Sequence, residues 1–520
     1  MTRMANDERS MGWFPSSFTA SAVTNRPAIV TIGGMISIYR NRLVWLCRFT
    51  CLLAAVATTC TGPAFADIAG RRPNIILIVS DDQGYGDLGR NGNAVVRTPN
   101  LDRMHDESVR FEDFHVSPTC APTRASLMTG RHEFKNGVTH TILERERLNL
   151  QATTIAQVLR AAGYRTGIFG KWHLGDEPPY QPGRRGFEET FIHGAGGIGQ
   201  SYEGTCGDAP NNSYFNPVIL HNGIFEKTSG YCTDVFFWQA SKWIENTKGA
   251  APFFCYIPTN APHAPLDVPP QYEQIYAGKG TRPEVARFLG MVTNLDENVG
   301  KLLARLGEWG IERETLVIFM NDNGGTAGCD LFNAGMRGRK GTARNGGARA
   351  MSLWRWPGTL RPAAVTALTA HLDLFPTFAE LAGATLPDYL ARRLDGFSLV
   401  PLLEHPAAVW HDDRMLFTHV GRWKAGAAPE KFGPCSVRWR QYLMVRQGEQ
   451  WTLYDLKSDP SETTDLAEQQ PAVVNELATA YDRWWEEVLP CLVNEDAYKA
   501  AAKKVNPFKE LYRKQFGDQR

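Results

Sequence analysis

The chain has 520 residues, 43% of them hydrophobic, enough for a large buried core in one big α/β domain or in several smaller ones. Its 56 basic and 55 acidic residues leave a formal charge of +1. That balance lacks the basic surplus with which nucleic-acid-binding proteins hold phosphate, so no such partner is expected.

Residues 1–66 read as a leader. Arg40, Arg42 and Arg48 precede the apolar run 49–57, and Ala64-Phe65-Ala66 supplies a small-x-small cleavage site, the pattern of a signal peptide. The 34 residues before Met35 do not suit such a segment, so translation starts at Met35 or the leader is unusually long. The apolar run is too short to span a bilayer. The expectation is therefore export, to the periplasm or outside the cell, with no stable membrane span. Without the leader the chain holds 50 basic and 53 acidic residues, a net of −3. Seven cysteines remain: Cys120, Cys206, Cys232, Cys255, Cys329, Cys435 and Cys491. An odd count in an exported protein sets one apart for another task. With Cys120 set aside, six allow up to three disulfides. Cys206 and Cys232, which bracket a Gly- and Asn-rich excursion, form the best pair, and Cys255 reads as a buried thiol.

From residue 72 strands and helices alternate. The run 74–79 is continuously apolar, as in a strand covered on both faces. Residues 154–162 have helical spacing and stop at Gly163, and 165–169 read as the next strand. Two more buried strands fall at 253–257 and 316–320, with a long amphipathic helix over 284–306 between them. This order predicts an α/β fold with a mostly parallel sheet and helices on both faces, over 67–400. Residues 401–520 form a smaller α+β subdomain, with antiparallel strands at 442–445 and 451–454 and a helix over 471–489. Its basic end, 499–520, reads as a helix with a solvated face.

In an open α/β sheet ligands bind beyond the carboxyl ends of the strands. The first strand ends in Asp81-Asp82, the strand at 316–320 in Asn321-Asp322-Asn323, and the strand at 253–257 runs on to His263. Lys171 and His173 follow the strand at 165–169 and, two apart, point the same way in extended chain. Three carboxylates and an amide, without sulfur or imidazole, suit Ca²⁺ or Mg²⁺, although either pair alone would serve as a turn cap. Pro122 fits a first helical turn and places Cys120 at a helix N-terminus, where free amides favour negative charge. Arg124 lies one turn on. On these grounds Cys120 is either a nucleophile or a capping residue.

Cys120-Ala121-Pro122-Thr123-Arg124, followed by Leu127-Met128-Thr129-Gly130, is similar to the signature of the sulfatases. In that family a formylglycine-generating enzyme oxidises the cysteine during synthesis. The resemblance continues in order through Pro73-Asn74-Ile75, Ser80-Asp81-Asp82, Thr98-Pro99-Asn100, Gly170-Lys171-Trp172-His173, Pro262-His263, Asn321-Asp322-Asn323-Gly324, Trp356-Pro357-Gly358 and Tyr454-Asp455-Leu456, and covers about residues 72–466. It implies an alkaline-phosphatase-like fold and hydrolysis of sulfate esters, with a sulfated carbohydrate ahead of an aryl sulfate. By the same resemblance, Asp81, Asp82, Asp322 and Asn323, with the modified Cys120, would hold one Ca²⁺. The hydrate of formylglycine would attack sulfur. Arg124 would orient it, His173 would take its proton, Lys171 and Lys340 would grip the sulfate, and His263 would protonate the leaving alcohol. Lys340 lies in Arg337-Gly338-Arg339-Lys340-Gly341, a basic run that is usually surface, so its choice rests on the resemblance alone. Two positions depart from the family pattern: Thr123 replaces a Ser, and Asn345 stands where a Glu is usual. Phosphodiester or phosphonate monoester hydrolysis, and sulfated-glycan binding with an unconverted Cys120, are the rival readings.

Overall fold

The first apolar run folds into the strand Asn74–Ser80, with all seven residues buried. Ile75, Leu77 and Val79 face one hydrophobic cluster and Ile76 and Ile78 another, so no position has a solvent side on which a polar residue would be favoured. The computed structural model describes residues 67–200, 206–278, 281–501 and 506–517. The leader proposed for residues 1–66 lies outside them. Among the described residues no helix is long and apolar enough to cross a membrane.

Ten strands form the central sheet, in the order Ala363–Val365, Val109–Phe111, Ser352–Arg355, Thr315–Asn321, Asn74–Ser80, Phe253–Pro258, Arg165–Lys171, Glu189–His193, Val218–His221 and Ile224–Lys227. The five from Thr315–Asn321 to Glu189–His193 run parallel to one another, so their carboxyl ends share one edge. Ser352–Arg355 and the hairpin Val218–His221/Ile224–Lys227 pair antiparallel at the flanks. The 26-residue helix Pro283–Glu308 lays Met291, Leu295, Val299 and Leu302 on one face. Helices Cys120–Thr129 and Leu374–Leu381 lay Ala125, Met128, Phe375 and Phe378 on the other. The fold is therefore the α/β architecture expected, with a smaller C-terminal antiparallel sheet of Met415–His419, Cys435–Trp439, Tyr442–Gln447 and Gln450–Asp455. Helix Pro471–Val488 covers that sheet with Tyr481, Trp484 and Trp485. Two ion pairs, one buried and one partly buried, fasten it to the body. Arg414 grips Asp373 through two bonds of 2.7 Å, and Arg438 reaches Asp113 at 2.7 Å.

Two expectations need correction. Cys232 is an unbridged thiol, as are Cys255, Cys329, Cys435 and Cys491, so neither the Cys206–Cys232 pair nor a set of three disulfides forms. Cys232 opens the helix Cys232–Thr247 and packs into the apolar cluster with Phe236, whereas the Cys206 sulfur accepts the Gly175 amide at 3.2 Å. The basic C-terminal helix is also not merely solvated. Pro507–Phe516 buries Phe508 and Tyr512 against Phe225, and Gln515 exchanges two hydrogen bonds with the Phe225 backbone, of 2.9 and 2.6 Å.

Candidate active site

At the shared edge of the parallel strands the acidic residues meet basic ones. Lys171 Nζ lies 2.7 Å from Asp81 Oδ2, both fully buried. Arg124 donates to Asp322 Oδ2 at 2.8 Å and to the Lys171 carbonyl at 3.1 Å. Lys340 Nζ reaches Asp82 Oδ1 at 2.6 Å, whereas Arg337 turns to the Glu462 carbonyl and Arg339 to Asp330. The Asn323 amide donates to Asp82 Oδ1 at 3.0 Å, and the Asp82 amide donates to Asp322 Oδ1 at 3.2 Å. Asp82 is held at φ +69, a backbone state that side chains rarely adopt and that tends to persist where surroundings over-determine it.

The charge balance among these groups is incomplete. Burial pushes Asp81 up to about 6 against the pull of Lys171. Burial also pushes Asp322 up to about 6, with the Asp81 charge adding to it and Arg124 opposing. Burial works against ionising Asp82 too, but Lys340 and His263 outweigh it and hold that carboxyl below its usual range. Asp81 Oδ1 and Asn323 Oδ1 are buried acceptors without a hydrogen-bond partner. Two strained carboxylates and two orphaned oxygens are what an oxygen-ligated cation would satisfy, so the residues present fit Ca²⁺ or Mg²⁺. Asp81, Asp82 and His263 lie close enough to share an ion, so the imidazole also stands within reach of the expected oxygen donors.

Cys120 begins the helix Cys120–Thr129, and its sulfur lies 3.5 Å from His173 Nδ1. His173 Nε2 stands 2.9 Å from the Thr141 carbonyl and must donate to it, so Nδ1 presents a lone pair to Cys120. Burial, then Lys171, holds this imidazole well below its ordinary pKa, keeping that lone pair available. Burial opposes ionisation of the Cys120 thiol, but Lys171 and Lys340 outweigh it and pull the thiol below its usual value. His263 Nδ1 donates to the Ala264 carbonyl at 2.6 Å, leaving Nε2 to face Asp82 Oδ2 at 3.7 Å. Burial pushes His263 down to about 4 despite the Asp82 charge.

The Gly/Asn-rich stretch between Gly194 and Asp234, which has no motif, contributes described residues to this site. A Cβ on Gly196 would meet the His173 ring at 2.9 Å, and one on Gly197 would meet His263 Nδ1 at 2.8 Å. Only glycine lets that backbone lie against both imidazoles. Tyr214, from the same stretch, sets its hydroxyl 2.6 Å from both the Asn260 and His263 carbonyls and so ties down the loop carrying His263. Thr141 and Tyr214 escaped the sequence reading because each acts on or through a backbone carbonyl, which carries no residue signature. Beside Asn345, where the sequence lacks a carboxylate, Glu462 supplies one. It is fully buried, accepts the Asn345 amide at 3.0 Å and pairs with Arg344 at 2.7 Å.

Fold and site together define a hydrolase of the alkaline-phosphatase-like class, built for an anionic ester. The sulfatase family model matches residues 73–384, and that of the N-sulphoglucosamine sulphohydrolase C-terminal region matches 345–483. Arylsulfatase A of Homo sapiens is 35% identical over 365 residues, 64% of this chain and 68% of that protein. N-acetylgalactosamine-6-sulfatase of Homo sapiens is 30% identical over 396 residues, 69% of this chain and 72% of its own. Among solved structures, Ps i-CgsB in complex with k-i-k-neocarrahexaose aligns with a TM-score of 0.72 at 28% identity, over 85% of this chain and 100% of that one. The phosphonate monoester hydrolase of Agrobacterium radiobacter, at TM-score 0.56 and 20% identity over 82% of this chain and 96% of that one, shares the fold alone. The chain belongs to the sulfatase family and is a sulfuric ester hydrolase.

Proposed function

We propose that the chain hydrolyses sulfate esters of carbohydrates, with position 120 as the nucleophile after conversion of Cys120 to formylglycine. The observation that carries this reading is the 3.5 Å contact between Cys120 Sγ and His173 Nδ1, the latter fixed as an acceptor by the bond from Nε2 to Thr141. Asp81, Asp82, Asp322 and Asn323, with the modified residue 120, would hold Ca²⁺. Bound there, the ion supplies charge neutralisation, and formylglycine, as its hydrate, supplies the attacking hydroxyl.

The remaining work falls to the chain's own side chains. His173 Nδ1 takes a proton from residue 120. Lys171 and Lys340, each already turned toward an Asp, bind the sulfate oxygens. Arg124, held by Asp322 and the Lys171 carbonyl, offsets charge at residue 120. His263 hands a proton to the leaving oxygen from Nε2, because Nδ1 is committed to Ala264. The arriving anionic ester raises the affinity of this imidazole for the proton it must donate. A carbohydrate is preferred over an aryl substrate because two of the relatives above are described with sugars, an acetylated galactosamine and a neocarrahexaose.

The test is mass spectrometry of the tryptic peptide 111–124 from an active preparation, together with a screen of sulfated sugars for released sulfate. An aldehyde at position 120 is expected. Intact thiol alone in fully active enzyme would remove the formylglycine mechanism.

A further inference from the structure

The segment Gly421-Arg422-Trp423 leads out of the strand Met415–His419 and is pinned on both sides of Arg422. Gly421 has φ +67, and a Cβ there would stand 2.0 Å from the Thr139 carbonyl, so the backbone is pressed against the loop that begins at Thr139. On the other side the Trp423 indole donates to Glu495 at 2.6 Å. Its carbonyl accepts from Arg145 at 3.0 Å, and the Arg145 guanidinium lies 4.6 Å over its ring. Between these clamps Arg422 is exposed and held at φ +62, a conformation costly for any residue with a Cβ.

The clamp aims the guanidinium at the mouth of the anion site. Arg422 Nη2 lies 3.4 Å from the hydroxyl of Thr141, the residue whose carbonyl orients His173. Its Nη1 lies 3.9 Å from where a Cβ on Gly341 would be, next to Lys340. The neighbouring cations are committed: Arg337 and Arg344 to Glu462, and Arg339 to Asp330. Among the described residues no carboxylate pairs with Arg422. A fork of donors fixed at conformational cost, unpaired and beside a sulfate-binding lysine, has the geometry for a carboxylate or sulfate.

We propose that Arg422 binds a second anionic group of the substrate, a carboxylate or a further sulfate close to the scissile ester, which makes the preferred substrate a polyanionic glycan. This rests on reading the site as that of a sulfatase.

The experiment measures binding. Two probe pairs differ in one charge each: an N,6-disulfated glucosamine against its N-acetylated 6-sulfate, and a sulfated disaccharide with a free uronate against its methyl ester. They are titrated by calorimetry into calcium-loaded full-length protein carrying Cys120→Ala to prevent turnover, with Arg, Ala or Lys at position 422. Melting curves check that each variant is folded. The Arg422 protein should bind the more charged member of at least one pair roughly three- to tenfold more tightly, as for a partly exposed charge-assisted contact. Arg422→Ala should abolish that ratio and Arg422→Lys should restore part of it. The pair that responds identifies the anion. Equal binding within both pairs, no binding of any probe, or a ratio that survives Arg422→Ala overturns the assignment. Release of sulfate from sulfated sugars and from 4-nitrophenyl sulfate by the wild-type enzyme is read separately, and its absence from every ester sinks the proposed hydrolysis while the affinity ratios still decide the role of Arg422.

Discussion

At the scale of single residues the mechanism is most exposed at His263. A sugar alkoxide leaves poorly without a proton, whereas a nitrophenolate needs little help. His263→Ala should therefore lose about 10²–10⁴-fold in kcat/KM on a sugar sulfate, and much less on nitrophenyl sulfate. Steady-state kinetics on the two esters decide it. Equal losses would assign His263 to sulfate binding, and an unchanged rate on the sugar ester would pass the proton to Lys340. Asp322 tests the cation. Its carboxylate serves both Arg124 and the Asp82 amide, so Asp322→Ala leaves the buried guanidinium only Asp81, at 3.9 Å, and the Lys171 carbonyl, and should abolish bound calcium and activity together. Elemental analysis finding active wild-type protein free of divalent ions would end the calcium reading. The acidic residues were legible in the sequence because each directly follows an apolar run that ends at a sheet edge. Lys340 was not, since nothing local separates it from Arg337 and Arg339; the choice is made by Asp82, more than 250 residues away in the chain.

At the scale of elements, the parallel strands were readable because burial on both faces removes any reason for alternation, and the capping box of Thr154 and Gln157 fixes the start of the helix Ile155–Ala161. Residues 194–200 and 206–217 were opaque because their sequence carries no helical or strand period. Their contribution to the site is contact with backbone and rings, as at Gly196, Gly197 and Tyr214. Tyr214 makes this testable. Tyr214→Phe keeps the ring in its stack with Tyr231 but leaves the His263 carbonyl without its donor, while the Asn260 carbonyl keeps the His263 amide at 3.0 Å, a loss of about 1–3 kcal/mol where buried. The expected outcome is a folded protein whose kcat falls more on sugar sulfates than on nitrophenyl sulfate, because the loop holding the proton donor is loosened. Loss of both activities in equal measure would mean that the hydroxyl serves stability alone.

At the scale of the whole molecule, the C-terminal subdomain is joined to the body by ion pairs rather than by apolar contact alone. Arg414→Ala strands the Asp373 carboxylate, which keeps only the Ala370 and Phe397 amides, and removing one partner of such a pair costs about 3–5 kcal/mol. Denaturant unfolding followed by tryptophan fluorescence should show an earlier transition from Trp423, Trp484 and Trp485, which lie in the C-terminal cluster. Coincident unfolding at the wild-type midpoint would show the pair to be dispensable. Helical periodicity gave the last helix a face but not a partner. The hairpin it covers, with Phe225, precedes it by about 280 residues, a distance no local pattern spans.

The burial of Cys120 and Arg124 is also a statement about time. Both are at most 2% exposed, and Asp322, which pairs with Arg124 from just past the strand Thr315–Asn321, is synthesised about 200 residues later. At typical elongation rates that gap lasts roughly 10–40 s. On the proposed formylglycine reading, the enzyme that converts Cys120 would therefore have to act before the site closes, in a window set by the ribosome. On the same reading, chain that missed the window would fold around an unconverted thiol, and unfolding and refolding the purified protein would not repair it.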